Sequence, residues 1–232
     1  MIVLSIDSSS KVATVAILKD DLLLGEYILN DKREHSVILL PMINNLLKEC
    51  NLDVDDIDGY VVSKGPGSFT GLRIGMATIK GLSFGSNRPY ISLSSLDGLA
   101  YSLSSFSGII CPIMDALRNN VYTAIYKVID GNLTTIIEPT AMDIDKLLDL
   151  LKEKNEVVIF TGDGLINHKD FIITNFNNPH FAPNHLSITR ASSLGELGMK
   201  LLKSGKHDDP DSSPVYLKKP QAERELERRL SY

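Results

Sequence analysis

The sequence predicts an α/β protein made of two similar units, each a mixed β-sheet flanked by helices. Two observations carry this prediction. The 232 residues are 43% hydrophobic and 23% charged, a globular composition, and one order of elements occurs twice along the chain. In each copy a buried strand ends at an aspartate, two more strands follow a polar turn, and helix and strand then alternate. Such an order gives a mixed sheet with helices on its faces.

The first copy begins with an apolar run that ends at Asp7 and continues with strand-length runs rich in Val, Ile and Leu. The segment 34–50 instead has apolar residues at helical spacing. The strands are expected at 2–6, 12–20, 22–29, 58–63 and 89–95, and the helices at 34–50, 70–85 and 96–103. A glycine-rich loop joins the fourth strand to the second helix.

The second copy begins about 108 residues later with an apolar run that ends at Asp115. Its strands are expected at 108–114, 121–129, 133–138, 156–160 and 171–175, and its helices at 144–155 and 190–204, with Asp143 or Asp145 as a cap of the first helix. We therefore expect two domains, 1–106 and 107–232, the second ending in a charged tail. The 190–204 helix is expected to pack back on the first domain.

Composition and charge exclude several classes of protein. The net charge of −5 and pI of about 5.5 do not give the basic surface that nucleic-acid binding needs. The two cysteines are far apart and fit no metal or redox spacing. The start of the chain does not have the pattern of a signal peptide, and no apolar run has the length of a membrane span. The expectation is a soluble cytoplasmic protein without membrane contact.

The glycine loop has the position of a phosphate-binding loop but not its full chemistry. A Walker loop needs G-x-x-x-x-G-K-[ST], and the only nearby lysine precedes the glycines. The loop still joins a strand to a helix start, where free N–H groups favour an anion. The candidate anion or interface residues are Lys64, Gly65, Gly67, Ser68, Thr70 and Arg73. Because Arg73 lies in the first helical turn, where the helix dipole disfavours a cation, a negative group is expected opposite it.

Two helices of the first unit contain unusual surfaces. The 70–85 helix has glycine pairs at 71/75 and 81/85, each pair on one face. Such glycines indicate close approach of backbone, either to the chain's own sheet or to a helix of another subunit. The apolar residues of the 34–50 helix cover more than one face, which favours the second interpretation.

Several motifs identify a family resemblance. The stretch VVSKGPGSFTGLRIGMATIKGL, supported by IDSSS, HSVILLPMI, MDALRNNVY and SPVYLKK, closely resembles the TsaB/YeaZ family. That family lies in the actin, Hsp70 and sugar-kinase (ASKHA) superfamily, so the resemblance implies two tandem RNase H-like domains. It also implies an accessory subunit of the bacterial machinery that makes threonylcarbamoyladenosine at tRNA position 37. The implied partners are the catalytic paralogue TsaD and the small ATPase TsaE, with a homodimer alone and only indirect contact with tRNA.

The resemblance also implies where the partner binds. The two helices of the first unit would pair with their counterparts in the paralogue. The interface residues expected on this basis are His35, Ile38, Leu39, Met42, Ile43, Leu46, Gly71, Ile74, Gly75 and Thr78. The family's Asp-Ala-Arg turn is altered here, since Leu117 replaces the arginine and Arg118 is the candidate substitute.

Metal and nucleotide chemistry are both reduced relative to the paralogues. Those proteins resemble this fold but have a His-x-x-x-His metal pair, whereas here Leu39 stands four residues after His35. We therefore expect no metal and no catalytic residue. A vestigial nucleotide cleft is expected from Asp7, Ser8, Ser9, Asp115, Gly162 and Gly164. No cofactor of its own is expected, and ATP or ADP would bind only in the assembled complex.

Two alternatives stay open at this point. One is an enzyme in its own right, an ATP-dependent transferase or kinase of the same superfamily that uses Asp7 and Asp115. The other is a stand-alone homodimeric scaffold or protease-like regulator.

Overall fold

The computed structural model describes residues 1–31, 34–117 and 119–218. Arg118, the candidate substitute for the missing family arginine, lies outside the described residues, as does the charged tail 219–232. Within the described residues the chain forms two five-stranded mixed sheets flanked by helices, which confirms the predicted fold class.

The first sheet has the strand order β3-β2-β1-β4-β5. Its strands are β1 (Ile2–Asp7), β2 (Val12–Lys19), β3 (Leu22–Asn30), β4 (Gly59–Gly65) and β5 (Tyr90–Ser94). The helices of this part are α1 (His35–Glu49), α2 (Phe69–Ser86) and α3 (Ser95–Tyr101). The pairs β1–β2 and β2–β3 are antiparallel, and β4 and β5 are parallel to β1.

The second sheet repeats this arrangement, with the order β10-β9-β6-β7-β8. Its strands are β6 (Ile109–Asp115), β7 (Asn120–Ile129), β8 (Asn132–Asp143), β9 (Val158–Thr161) and β10 (His180–Phe181). Its helices are α4 (Ile144–Lys154), α5 (Leu165–Asn175) and α6 (Ala191–Lys203). Asp143 caps α4, since its Oδ1 accepts a hydrogen bond from the Asp145 N–H at 3.0 Å.

Helices pack on both faces of the first sheet, and strand side chains alternate between these two faces. Leu4 and Ile6 of β1 pack with α1 and α2, while Val3 faces α6. Burial on both faces explains why β1 and β2 read as nearly continuous apolar runs rather than alternating ones.

Helix α6 lies on the first sheet although its residues follow the second. Its start is fixed by Glu26 of β3, a buried carboxylate that pairs with Arg190 and accepts hydrogen bonds from the N–H and Oγ of Ser192 at 3.0 and 2.8 Å. A carboxylate is stabilised at a helix N-terminus by the free N–H groups and the dipole. Conversely, α3 packs Leu96 and Leu99 against the second sheet, so each sheet is covered partly by a helix from the other half of the chain.

One predicted strand is wrong. Residues 171–175 form the last turn and a half of α5 instead of a strand. Within α5 the buried residues are His168 and Ile172, which are four apart and so lie on one helical face. The short apolar run is equally compatible with strand and helix, and this spacing was the signal that separates them.

Candidate functional site

The glycine loop lies against the turn between β1 and β2. The N–H of Ser68 donates to the Ser9 carbonyl at 2.6 Å, and the Ser68 Oγ accepts from the Gly71 N–H at 3.2 Å. Gly67 has a φ of +156°, and a Cβ there would lie 2.2 Å from the Ser9 carbonyl oxygen. The chain itself therefore uses part of the donor set that an anion would need at this helix start.

The buried glycines of α2 face the same turn. A Cβ at Gly71 would lie 2.1 Å from the Ser8 carbonyl oxygen, and one at Gly75 would lie 2.3 Å from the Ser8 Oγ. The Ser8 Oγ in turn donates to the Gly71 carbonyl at 2.8 Å. This placement corrects the prediction that these glycines face a partner, because the close approach they allow is to the chain's own turn.

Helix α1 also requires a correction. The five apolar residues predicted to bind a partner are buried in the chain's own core: Ile38, Leu39, Met42, Ile43 and Leu46. The apolar side chains that α1 exposes are instead Val37 and Leu40, which are 60% and 56% exposed. A second apolar face exists, but it is narrower than the sequence pattern indicates.

The other two predicted interface residues of α2 are only partly exposed. Ile74 packs against the first core and also lines the cleft described below. Thr78 donates its hydroxyl to the Ile74 carbonyl at 2.8 Å, a bond within the helix.

His35 begins α1 and bonds to the β1–β2 turn. Its Nε2 lies 2.8 Å from the Ser10 carbonyl oxygen. Because a carbonyl only accepts, Nε2 carries the hydrogen and Nδ1 is the acceptor in the neutral ring. That buried Nδ1 has no hydrogen-bond partner among the described residues. Position 39, where the paralogues resembling this fold have their second histidine, is a leucine that is 1% exposed.

A cleft of about 1010 Å³ lies between the two units. Its lining includes the serine turn (Ser9, Ser10), the glycine-loop residues Gly67, Ser68 and Thr70, and residues from the end of β6. Among the described residues, four carboxylate side chains line it, Asp31, Glu34, Asp115 and Asp163, against one lysine, Lys11. These described carboxylates would repel a polyphosphate unless cations came with it.

The first predicted cleft aspartate is enclosed instead of lining the cavity. Asp7 is fully buried, and its Oδ1 accepts from the N–H and Oγ of Ser9 at 3.2 and 3.1 Å. Its Oδ2 has no partner among the described residues. Burial raises the pKa of this carboxyl to about 6, although the nearby Ser63 hydroxyl and the hydrogen bonds from Ser9 oppose the shift.

The second predicted aspartate does line the cleft. The Asp115 Oδ1 accepts from the Leu117 N–H at 2.8 Å, and its Oδ2 accepts from the Asn167 amide at 2.7 Å. Its neighbour Asp163 was not predicted. Burial raises the pKa of Asp163 above its usual value; a main-chain hydrogen bond from Asp115 opposes this, and the Asp115 charge adds to it.

The glycines on either side of Asp163 pack against β6. A Cβ at Gly162 would lie 2.2 Å from the Ile113 carbonyl oxygen, and one at Gly164 would lie 2.9 Å from it. The Gly164 N–H donates to the same carbonyl at 3.1 Å. These two glycines therefore serve the chain's own packing, which corrects their assignment to a nucleotide cleft.

Sequence reasoning gave no role to the segment 208–218, here called the C-terminal strap. It crosses the end of β4, where the Val215 N–H donates to the Lys64 carbonyl at 2.7 Å. The Tyr216 ring lies 4.7 Å from the Phe69 ring, and the Lys218 Nζ donates to the Ala116 carbonyl at 2.8 Å. The strap thus contacts both units beside the glycine loop. The stretch SPVYLKK was the only signal for it, and that signal came from resemblance alone.

The described residues include neither a membrane-spanning helix nor a cluster of metal ligands. No helix in the ranges 1–31, 34–117 and 119–218 combines the length and apolar character of a membrane span. Over the same ranges, no three His, Cys, Asp or Glu side chains come together as metal ligands would.

Comparison with known proteins agrees with the fold and with the glycine-loop motif. A family model described as TsaD, tRNA N6-adenosine threonylcarbamoyltransferase, matches residues 23–226. The tRNA threonylcarbamoyladenosine biosynthesis protein TsaB of Bacillus subtilis is 38% identical over 74% of this chain and 75% of that protein. The chain belongs to the TsaB/YeaZ family. The Escherichia coli TsaB is 33% identical over 55% of each chain.

Solved structures match the same architecture. YeaZ from Pseudomonas aeruginosa superposes with a TM-score of 0.77 at 22% identity, covering 93% of this chain and 99% of that one. A ROK hexokinase from Thermus thermophilus gives a TM-score of 0.51 at 10% identity, covering 86% and 99%. At these identities the likeness shows the fold, which is that of the ASKHA superfamily.

Proposed function

We propose that this TsaB/YeaZ family member is a non-catalytic subunit in the synthesis of threonylcarbamoyladenosine at tRNA position 37. It would bind and organise the metal-bearing paralogue TsaD in the cytoplasm, with the ATPase TsaE as a further partner. In the absence of TsaD, it would form a homodimer through the surface that otherwise binds TsaD. The observation that carries this proposal is the solvent face of α2.

The exposed residues of α2 lie along one stripe. Five of them, Thr70, Arg73, Ala77, Gly81 and Phe84, are here called the outer stripe, and Phe69 and Gly85 are exposed beside it. Phe84 is 91% exposed, and the stripe residues that precede it, Ala77 and Gly81, are small. A Cβ added at Gly81 or at Gly85 would have no atom within 4 Å of it. Small residues beside an exposed aromatic ring let a second helix approach closely and offer it an anchor.

The exposed apolar residues of α1 extend this surface. Helices α1 and α2 pack on one face of the first sheet, and α1 exposes Val37 and Leu40. Large apolar residues exposed together on adjacent helices are typical of protein interfaces. The proposed docking surface therefore consists of Val37, Leu40 and the outer stripe.

The residues at and near the cleft support a non-catalytic role. Leucine at position 39 cannot ligate a metal, and it is buried in the core. The carboxylates among the described cleft residues disfavour a nucleotide held by this chain alone, so ATP or ADP would bind only in the assembled complex. With a net charge of −5, contact with tRNA would be indirect, through the complex.

The test is a binding experiment with TsaD from the same organism. We expect the purified chain to form a stable heteromer, seen by size-exclusion chromatography with light scattering. Phe84→Ala should weaken the complex about tenfold or more, as loss of an aromatic anchor that fills a partner's pocket does. Ile166→Ala is the matched control, because Ile166 of α5 is 86% exposed but lies on the second unit. It should bind like the unsubstituted chain.

The same preparation tests the enzyme alternative. If the isolated chain hydrolysed ATP and did not associate with TsaD, the accessory-subunit proposal would be wrong. If Phe84→Ala and Ile166→Ala bound equally well, the heteromer would use another surface.

A further inference from the structure

Arg73 is a cation in an electrostatically unfavourable position. It is the fifth residue of α2, and its guanidinium lies over the ring of Phe69, the first residue of the helix, where the dipole disfavours a positive charge. It forms an ion pair with no carboxylate in the part of the chain that the structure describes. An internal salt bridge among these residues therefore does not account for the arginine.

Two aromatic residues hold its guanidinium instead. The Arg73 Cζ lies 3.9 Å from the centre of the Phe69 ring and 5.8 Å from that of Tyr216. The Arg73 Nε donates to the Tyr216 hydroxyl at 3.0 Å. These contacts fix one side of the guanidinium. Its two terminal amino groups make no hydrogen bond with any described residue, although they are the pair that binds carboxylates in a bidentate manner.

We propose that Arg73 is a recognition site for a carboxylate side chain of the docking partner. This assignment rests on the function proposed above and adds the chemistry that the partner must present. Arg73 and Phe84 lie on the same outer stripe, eleven residues apart, or about 16 Å along the helix. The partner therefore presents an acidic residue at one end of the contact and an apolar pocket at the other.

A protein carboxylate fits this site better than an RNA phosphate does. Phosphate backbones are bound by groups of cations, and affinity grows with their number. Here the chain has a net charge of −5, and the described residues that line the nearby cleft include more acidic than basic side chains. A single oriented arginine at the edge of an apolar helix surface is instead typical of protein interfaces, where arginine is enriched.

Tyr216 is a positioning residue in this arrangement. It belongs to the C-terminal strap, which is anchored by the hydrogen bond from the Val215 N–H to the Lys64 carbonyl. The strap thereby orients the arginine before the partner arrives, which reduces the entropy lost on binding.

The experiment measures the dissociation constant of the TsaD complex at low and high salt. Arg73→Gln removes the charge, and we expect about tenfold weaker binding at 50 mM salt but less than threefold at 500 mM, because salt screens the lost pair. Tyr216→Phe keeps the ring and removes the hydrogen bond, so about threefold weaker binding is expected. Lys154→Gln on α4 removes the same charge from an exposed site of the second unit and should leave both constants unchanged.

Each other outcome overturns the assignment. If Arg73→Gln bound TsaD as tightly as the unsubstituted chain, the assignment would be wrong. It would also be wrong if Arg73→Gln weakened binding equally at both salt concentrations and lowered the melting temperature. A loss of tRNA retention with unchanged TsaD binding would mean that the occupant is a phosphate. Failure of the unsubstituted chain to bind TsaD would overturn the proposed function and this assignment together.

Discussion

The two glycine pairs of α2 have the same spacing and opposite surroundings. A Cβ added at Gly71 or Gly75 would overlap atoms of Ser8. A Cβ added at Gly81 or Gly85 would have no atom within 4 Å of it. The first pair lets the helix approach Ser8 of its own chain, and the second pair faces open space. A four-residue glycine spacing therefore permits close approach but does not show that a neighbour is present.

The largest effect that would test this contrast is expected at the buried pair. Gly75→Leu forces a side chain into space held by the Ser8 Oγ, 2.3 Å from the new Cβ. We expect a loss of more than about 3 kcal/mol in the free energy of unfolding, or no folded protein at all. Chemical denaturation followed by circular dichroism measures it.

The matched control makes the same change at the open pair. Gly85→Leu introduces a leucine where no atom lies within 4 Å, so the unfolding free energy should change by less than about 1 kcal/mol. If Gly75→Leu were as stable as Gly85→Leu, the two pairs would not differ in the way the structure indicates.

The turn that the buried pair contacts gives a second, pH-dependent test. Burial raises the pKa of Asp7 to about 6 from an unfolded value of 3.8. The fold therefore favours the protonated acid. This contribution to stability is fully present below pH 3.8 and is lost as the pH rises through 6. At about 1.4 kcal/mol for each pKa unit, the loss approaches about 3 kcal/mol by about pH 7.5.

Asp7→Asn removes this titration. We expect the variant to gain up to about 3 kcal/mol over the unsubstituted chain between about pH 4 and pH 7.5, as measured by urea unfolding across that range. The pH-dependent part of the difference is the quantity of interest, because any fixed packing cost cancels from it.

Asp20 provides a control of opposite sign. Hydrogen bonds to Lys203 and to the N-terminal amino group lower its pKa, so its contribution is present above the unfolded pKa and is lost as the pH falls. Asp20→Asn should therefore lose stability relative to the unsubstituted chain as the pH rises toward 3.8, below the range in which Asp7→Asn gains most of its stability. A flat difference profile for Asp7→Asn would mean that Asp7 is not the buried acid described here.

The sequence was sufficient for the fold because its signals are local and repeated. Strands that end at Asp7 and Asp115 and helices with 3.6-residue periodicity are visible without knowledge of tertiary contacts. The sites depended on information that periodicity does not contain. Apolar residues on two faces of α1 could not show that Ile38 and Met42 are buried while Val37 and Leu40 are exposed.

Long-range contacts were also out of reach. The strap residue Tyr216 meets Arg73 across 143 positions of sequence, and nothing near either residue indicates the contact. Likewise, Gly162 looks like a turn glycine, and only the fold shows that it lies against the Ile113 carbonyl. The anion expected opposite Arg73 from the helix dipole was a physical inference, and it still stands as a prediction.

The smallest expected effect also reverses sign between the two glycine pairs. Gly81→Ala adds a methyl group to open space within a helix, so it should stabilise the chain by about 0.5–1 kcal/mol by lowering the entropy of the unfolded state. Gly71→Ala places its methyl group 2.1 Å from the Ser8 carbonyl oxygen and should destabilise it. Thermal unfolding of the two variants beside the unsubstituted chain measures both. Stabilisation by Gly71→Ala would show that the serine turn yields to the helix, and the contrast between the pairs would then be one of degree only.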